Sequence, residues 1–279
     1  MDTRSCGAVF DTIAVEYDRA RPTYPDTLID RACHDGALSA GDHVLEIGCG
    51  TGQLTRGLVA RGLRVTAVEP GQNLIALASE RVSADVEFVN CKFEDARLST
   101  RFPAAFSAAA FHWPDPDVSW GKAARSLTPG GRLALIQYCA FHDESTAEDA
   151  EAVMGALAEV APEIAAAWPV RCDLETTMSG AEDRRDNVSE VWAWLSGQAV
   201  ARDYAAPLFD DVQTAAQPAF VERTPQELNA LFATTSVYRR LSASQRNALA
   251  RATIAIGERL GRRIRTSMLA VLVTARSVG

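Results

Sequence analysis

The chain has 279 residues, 47% of them apolar and 23% charged, and a formal net charge of −8. That length covers one large domain or two small ones and buries a core without covalent staples. The acidic balance disfavours a nucleic-acid substrate, because phosphate backbones are repelled. Cys6, Cys33, Cys49, Cys91, Cys139 and Cys172 are scattered, with no Cys-x-x-Cys pair, which argues against a bound metal or a disulfide framework and suits a reducing, cytoplasmic setting. No apolar run reaches membrane-spanning length, and the first residues lack a basic stretch followed by an apolar one.

In chain order, residues 9–35 carry a helical period, with Phe10, Ile13, Ala14 and Tyr17 on one face. Pro22 and Pro25 interrupt it, and Pro25 is placed to open a second helix as its first-turn proline. From 43 to 138, strands and helices alternate: His43–Gly48 strand, 51–61 helix, Arg64–Glu69 strand, 71–83 helix, Val86–Cys91 strand, Phe106–Phe111 strand, a helix near 117–127, and Arg132–Tyr138 strand. Such alternation implies a doubly wound α/β fold with parallel strands and right-handed crossovers. After Tyr138 the pattern turns helical. Ser145-Thr-Ala-Glu148 reads as a capping box, and Val188, Val191, Trp192 and Leu195 mark an amphipathic helix. Residues 212–222 read as a returning strand, 225–235 and 242–260 as helices, and Met268–Arg276 as a terminal strand. The organisation expected is an N-terminal helical segment (1–40), a core sheet (41–140 and 209–279) and a helical cap inserted over one sheet edge (141–208).

The most informative stretch is Val44-Leu-Glu-Ile-Gly-Cys-Gly-Thr-Gly52, a strand running into three glycines at alternate positions. Such glycines let the backbone turn sharply and approach a ligand closely, with the next helix N-terminus pointing at it. A dinucleotide fingerprint needs Gly-x-Gly-x-x-Gly, and here Gln53 stands at its third glycine position. Ligands in open parallel sheets bind at the carboxyl ends of strands, and four such ends converge. They carry Glu46 with the glycine turn, Glu69-Pro-Gly71, Phe93-Glu-Asp95 and Phe111-His-Trp-Pro-Asp115. Glu69 lies 21 residues beyond Gly48, the spacing of a ribose-binding acid. Glu46 inside an apolar strand is either half of a buried ion pair or a ligand-binding group. His112 is a candidate general base, with a structural histidine as the alternative. Trp113, Trp168 and Trp192, together with Trp194, are candidates for stacking a substrate or for plain packing. Arg259–Arg265 reads as the basic end of a helix rather than a phosphate patch.

The Glu-x-Gly-x-Gly-x-Gly run resembles the first motif of the class I S-adenosylmethionine-dependent methyltransferases. Tyr17-Asp-Arg-Ala-Arg-Pro-Thr-Tyr-Pro25, Val68-Glu-Pro-Gly-Gln-Asn-Leu74, Phe111–Asp115 and Leu127-Thr-Pro-Gly-Gly-Arg-Leu133 are similar to further motifs of its small-molecule members, the trans-aconitate methyltransferase-like group. The resemblance implies seven strands, the last antiparallel, with S-adenosylmethionine as cofactor. Glu46, Gly48, Cys49, Gly50 and Gly52 would line its methionine part. Glu69, beside Pro70, would hold the ribose, and Phe93, Glu94 and Asp95 would edge the adenine. Tyr17, Tyr24 and Phe111 would complete the site. The acceptor expected is a small apolar or aromatic metabolite, with no nucleic acid or membrane partner and a homo-oligomer compatible with an exchanged N-terminal helix. An NAD(P)-dependent oxidoreductase and a non-catalytic cofactor-binding regulator are the competing readings.

Overall fold

The computed structural model describes residues 10–82, 85–168, 171–197, 204–205 and 207–279; Cys6 and the first residue of the expected 9–35 helical stretch lie outside them. Seven strands form one sheet: β1 (His43–Ile47), β2 (Arg64–Val68), β3 (Val86–Val89), β4 (Phe102–Ala108), β5 (Leu127–Ala140), β6 (Phe209–Arg223) and β7 (Ile264–Ser277). Their order is β3-β2-β1-β4-β5-β7-β6. The first five are parallel, and β7 runs antiparallel to both β5 and β6. The sheet is thus doubly wound and mostly parallel, as the alternation implied. Its order reverses between β1 and β4, which opens a crevice at their carboxyl ends.

The helices are α1 (Ala14–Ala20), α2 (Asp26–Asp35), α3 (Gln53–Ala60), α4 (Gln72–Ser79), α5 (Pro116–Ser126), α6 (Ala147–Val160), α7 (Pro162–Ala166), α8 (Leu174–Glu182), α9 (Val188–Ser196), α10 (Pro225–Ala233), α11 (Ser236–Arg240) and α12 (Ala243–Leu260). Successive strand residues face opposite sides, so the sheet feeds two cores. Leu45, Ile47, Leu133, Leu135 and Val271 pack on one side against Trp120 of α5 and Val191, Trp192 and Leu195 of α9. Val44, Val65, Phe106 and Ile136 pack on the other against Leu28, Ile29 and Ala32 of α2 and Leu54 and Leu58 of α3. A third core joins α6 and α7 to α10, α11 and α12 through Val153, Leu157, Ile164, Leu228, Leu241 and Leu249. The helices after β5 therefore divide, α9 onto a sheet face and α6 with α7 onto the helices that follow β6.

Several local expectations shift. β4 starts at Phe102 and ends before Ala109, a residue at φ +49°. Its Ala-rich first half lacks a strong local signal, but small side chains suit a strand buried on both faces between β1 and β5. β5 begins at Leu127 and carries Pro129-Gly-Gly131 within it, where its register with β4 slips between Phe102 and Ala104. Pro25 is the N-cap of α2, one position outside the helix. The Ser145–Glu148 capping box does not form. Asp143 instead accepts from the Ser145 N–H at 2.9 Å, making a short 3₁₀ turn ahead of α6.

The Arg259–Arg265 stretch is more than a basic helix end. α12 stops at Leu260 with a left-handed Gly261, and the next arginines reach acids on other elements. Both terminal nitrogens of Arg262 donate to the fully buried Asp149 carboxylate at 2.6 Å, as does the Arg265 backbone N–H. Arg263 pairs with Glu227. These bonds fasten the start of β7 to α6 and hold the Asp149 carboxyl below its ordinary pKa. Removing the charge weakens three charge-assisted bonds, each of which contributes about 1.5–3 kcal/mol. Asp149→Asn is expected to lower the unfolding free energy by about 2 kcal/mol or more in urea titrations at neutral pH.

Candidate active site

The site is built on the turn that follows β1. Gly48, Gly50 and Gly52 all have positive φ, at +74°, +55° and +83°, a region that side chains with a Cβ rarely enter. Their surroundings differ. A Cβ on Gly48 would lie 2.4 Å from that of Ala110, and one on Gly52 would lie 3.2 Å from that of Ala78. Gly48 therefore lets the turn press against the loop after β4, and Gly52 lets it press against α4. A Cβ on Gly50 would meet nothing within 4 Å, so the chain there faces open space. The helix starts at Gln53 rather than Thr51, with Gly52 as an N-cap that offers no side-chain acceptor. The amides of the glycines are not free donors. Gly48 N–H donates to Val68 O, Gly52 N–H to Cys49 O, and Gly50 N–H to Glu69 Oε2 at 3.0 Å.

Glu69 closes the turn from β2. Its Oε2 accepts from Gly50, and its Oε1 accepts from the Gly71 N–H at 2.9 Å. A carboxylate offers about four lone-pair sites, so both oxygens keep acceptor capacity toward the crevice. Burial raises the Glu69 pKa against the two amides that lower it, and Asp11 adds to the rise. Asn90 donates to the Glu69 and Pro70 carbonyls, fixing the loop from β3, while Pro70 itself is exposed. Asp11 is a site residue that sequence reasoning missed. Gly71 gives α4 no side-chain cap, and Asp11 supplies one from 62 residues away, accepting from Asn73 N–H at 2.7 Å and Leu74 N–H at 3.2 Å. No local pattern signals a cap from so distant a segment.

Glu46 projects from β1 toward α3, with 0% exposure. Neither carboxylate oxygen has a hydrogen-bond partner among the described residues. Burial pushes its pKa up to about 7, Glu69 adds to the rise, and the neighbouring Thr55 hydroxyl and Arg56 oppose it. A buried carboxylate without a partner is costly, and it marks a place where a donor or a cation would be welcome. Cys49, buried beside it, has its thiol pushed well above the ordinary range by burial and by both carboxylates.

The other end of the crevice is aromatic. Phe10 meets Tyr17 and Trp113 edge-on at 5.4 and 5.6 Å, and the His112 and Trp113 rings lie 4.6 Å apart. Tyr24 stacks on Tyr138 at 5.8 Å, and Tyr138 Oη donates to Thr23 O. Arg21 lies over the Tyr17 ring and donates to the Thr234 hydroxyl and carbonyl, tying α1 to α10. Burial raises the Tyr24 phenol pKa, with Tyr17, Tyr138 and Glu46 reinforcing and Arg21 opposing. His112 Nδ1 is buried without a partner among the described residues. Burial, then Arg21, lowers the His112 pKa to about 4. His112 is thus a neutral, weak base and a good hydrogen-bond acceptor rather than a group poised near neutrality.

Phe93-Glu-Asp95 forms a short 3₁₀ turn. Phe93 is buried, Glu94 accepts from the Asp115 N–H at 2.8 Å, and Asp95 is exposed. Lys122 holds the turn by donating to the Glu94 and Ala96 carbonyls at 2.9 and 2.6 Å. Three aromatic candidates lie elsewhere. Phe111 turns into the core against Trp120, at 4.7 Å. Trp192 is 4% exposed and packs α9 on the sheet. Trp168 lines a separate cavity among α6, α11 and α12 with Leu157, Tyr238 and Leu249. Trp194 donates its indole N–H to Thr177 O and sits under Arg184.

Residues 44–131 match a family model described as a methyltransferase domain. An uncharacterized methyltransferase of Mycobacterium tuberculosis H37Rv is 35% identical over 133 residues, which is 48% of this chain and 53% of that protein. An uncharacterized methyltransferase of Staphylococcus carnosus is 30% identical over 150 residues, 50% of this chain and 71% of that protein. The chain thus spans about half the length of the mycobacterial relative it matches. A solved structure from Anaeromyxobacter dehalogenans, provisionally assigned as a type II methyltransferase, aligns with a TM-score of 0.58 at 21% identity, covering 92% of this chain and 97% of that one, and shows a shared fold.

Glu46 and His112 give opposite pH signatures. The Glu46 pKa rises from 4.5 to about 7 on folding, so its contribution is present below 4.5 and lost as pH rises through 7. The difference amounts to about 3 kcal/mol at most. The His112 pKa falls from 6.5 to about 4, so its contribution is present above 6.5 and lost as pH falls through 4. In the ligand-free protein, Glu46→Gln is expected to gain stability relative to the parent between pH 5 and pH 8. His112→Gln is expected to resist acid better than the parent between pH 6.5 and pH 4. Denaturant titrations across pH check both, and parallel parent and variant profiles would contradict these environments.

Proposed function

Because the chain belongs to the class I S-adenosylmethionine-dependent methyltransferases, we propose that it transfers a methyl group from S-adenosylmethionine to a small, largely apolar or aromatic acceptor. The observation that carries this reading is the pair of buried carboxylates at adjacent strand ends, Glu46 without a partner and Glu69 with spare acceptor capacity, on either side of a glycine that faces open space. The residues suit that cofactor. Glu46 would receive its ammonium group, Glu69 its ribose hydroxyls, and Gly50 would allow its close approach. The turn at Phe93–Asp95 would edge the adenine. Bound there, the cofactor supplies an electrophilic sulfonium methyl.

What the protein contributes is placement. Transfer needs donor and acceptor close, in line and shielded from water. Phe10, Tyr17 and Trp113 offer ring faces and edges against which a flat or apolar acceptor would rest. His112, neutral across the physiological range, would accept a hydrogen bond from an acceptor hydroxyl or amine and orient its lone pair. The segment from Phe10 to Tyr24, held by Asp11 and Arg21, would keep water out. The net charge of −8 supports a free metabolite over a nucleic acid as acceptor. Among the described residues no helix is long and apolar enough to cross a membrane and the five cysteines are unpaired, which fits a cytoplasmic enzyme.

Isothermal titration with S-adenosylhomocysteine tests the reading. Binding is expected for the parent, and Glu69→Gln and Glu46→Gln should each weaken it roughly 10- to 100-fold, the loss of one charge-assisted interaction. NADH should not bind; binding of NADH without S-adenosylhomocysteine would reverse the assignment. With a turned-over acceptor, His112→Gln should keep kcat within a few-fold and leave the rate flat above pH 5.

A further inference from the structure

Arg223 ends β6 and is the one buried lysine or arginine among the described residues, with 7% of its surface exposed. An exposed arginine without an ion pair keeps its hydration, whereas a buried one has given most of it up. Arg223 forms no ion pair among the described residues. The acid that acts on it, Glu227, is held by Arg263 and by the Thr224 N–H. Its Nη1 donates to the Thr266 hydroxyl, which itself donates to Val221 O at 3.0 Å and so is fixed as an acceptor. Nε and Nη2 have no partner among the described residues, and, unlike the Nε of Arg265, neither is sealed from solvent. These two nitrogens form the edge of a guanidinium that takes a carboxylate side-on. Arg276 shows the same edge filled, its Nε and Nη2 donating to the two oxygens of Asp210 at 2.9 and 3.1 Å.

The sheet register places this edge. β6 runs in the direction of β5, with β7 between them, so Arg223 lies at the rim that carries the crevice. Cross-strand partners share a face, and alternate residues along a strand return to it. Tyr138 pairs with Ala270 and Ala270 with Gln217, so Tyr138 shares its face with Ala219, Val221 and Arg223. Thr266 pairs with Val221, one alternation nearer Tyr138 than Arg223 is. The guanidinium that bonds Thr266 therefore reaches back toward the Tyr24–Tyr138 stack. Between the two lie Ala140, Ala219 and Met268, none fully buried, an apolar floor about 13 Å long at roughly 3.4 Å per residue. We propose that this face holds the methyl acceptor by a carboxylate, taken side-on by Nε and Nη2 of Arg223, with the apolar body of the acceptor on the Ala140, Ala219 and Met268 floor. That the acid is the acceptor rests on the methyl-transfer reading; that the face binds a carboxylate does not.

The test titrates benzoate, 3-phenylpropionate and indole-3-acetate, each beside its primary amide, into the full chain by calorimetry, with and without saturating S-adenosylhomocysteine. At least one acid is expected to bind saturably and one-to-one, with its amide at least tenfold weaker. Arg223→Gln should weaken that acid at least tenfold, to the level of its amide, while binding S-adenosylhomocysteine within about twofold of the parent. If Arg223→Gln fails to fold, Arg223→Lys, which keeps the charge and loses the fork, carries the same comparison, with a loss of at least about threefold expected. Equal binding of acid and amide, no saturable binding of any of the three acids, or an acid that binds the variant as tightly as the parent overturns the proposal. An acid that binds through Arg223 in a protein that takes up no S-adenosylhomocysteine leaves the carboxylate site standing and removes the methyl-transfer reading.

Discussion

One carboxylate holds the crevice together. Glu69 receives the Gly50 amide on one oxygen and the Gly71 amide on the other, so the loops after β1 and β2 are fixed to each other rather than each being anchored alone. Without it the glycine turn would keep only the backbone bond from Gly48 N–H to Val68 O as a hydrogen-bonded tie to the end of β2, and Gly50 and Gly71 would no longer share an acceptor. The remaining parts follow from that tie. Gly71 starts α4, Asp11 caps α4 across the chain, and Asp11 thereby lays the N-terminal segment over the crevice. Arg21 fastens the far end of that segment to Thr234.

The cost of this arrangement falls on Glu46. A strand core that is otherwise Val, Leu and Ile holds an acid whose oxygens have no partner among the described residues. Such a position weakens the fold and is retained where a ligand offsets the penalty. The glycine turn carries the same logic in its backbone: three left-handed residues, two of them demanded by close neighbours and the third by space left open. The site is shaped by what the protein leaves unsatisfied as much as by what it bonds.

Most of the fold was legible because strand and helix periods alternate strongly from residue 43 onward, and the strand ends carried Glu46, the glycines and Glu69 in readable order. What was not legible depended on long-range partners. Asp11 and Arg21 look like ordinary helix-surface charges until α4 and Thr234 are placed beside them. The Arg262 and Arg265 contacts needed Asp149, more than a hundred residues earlier. Trp192 and Phe111 share composition with a binding wall, and only the packing of α9 and α5 sends them into the core. His112 sat where expected, but its basicity was set by burial and by Arg21, which no spacing reveals.

The placement of β7 has a further consequence. It is the last strand in chain order, yet it lies between β5 and β6 rather than at an edge. Both β5 and β6 precede β7 in the chain, and their facing edges have no partner in this sheet until residues 264–277 lie between them. Chains lacking residues 264–277 would leave β5 and β6 unpaired along those edges, the exposed-edge condition that invites pairing with other chains.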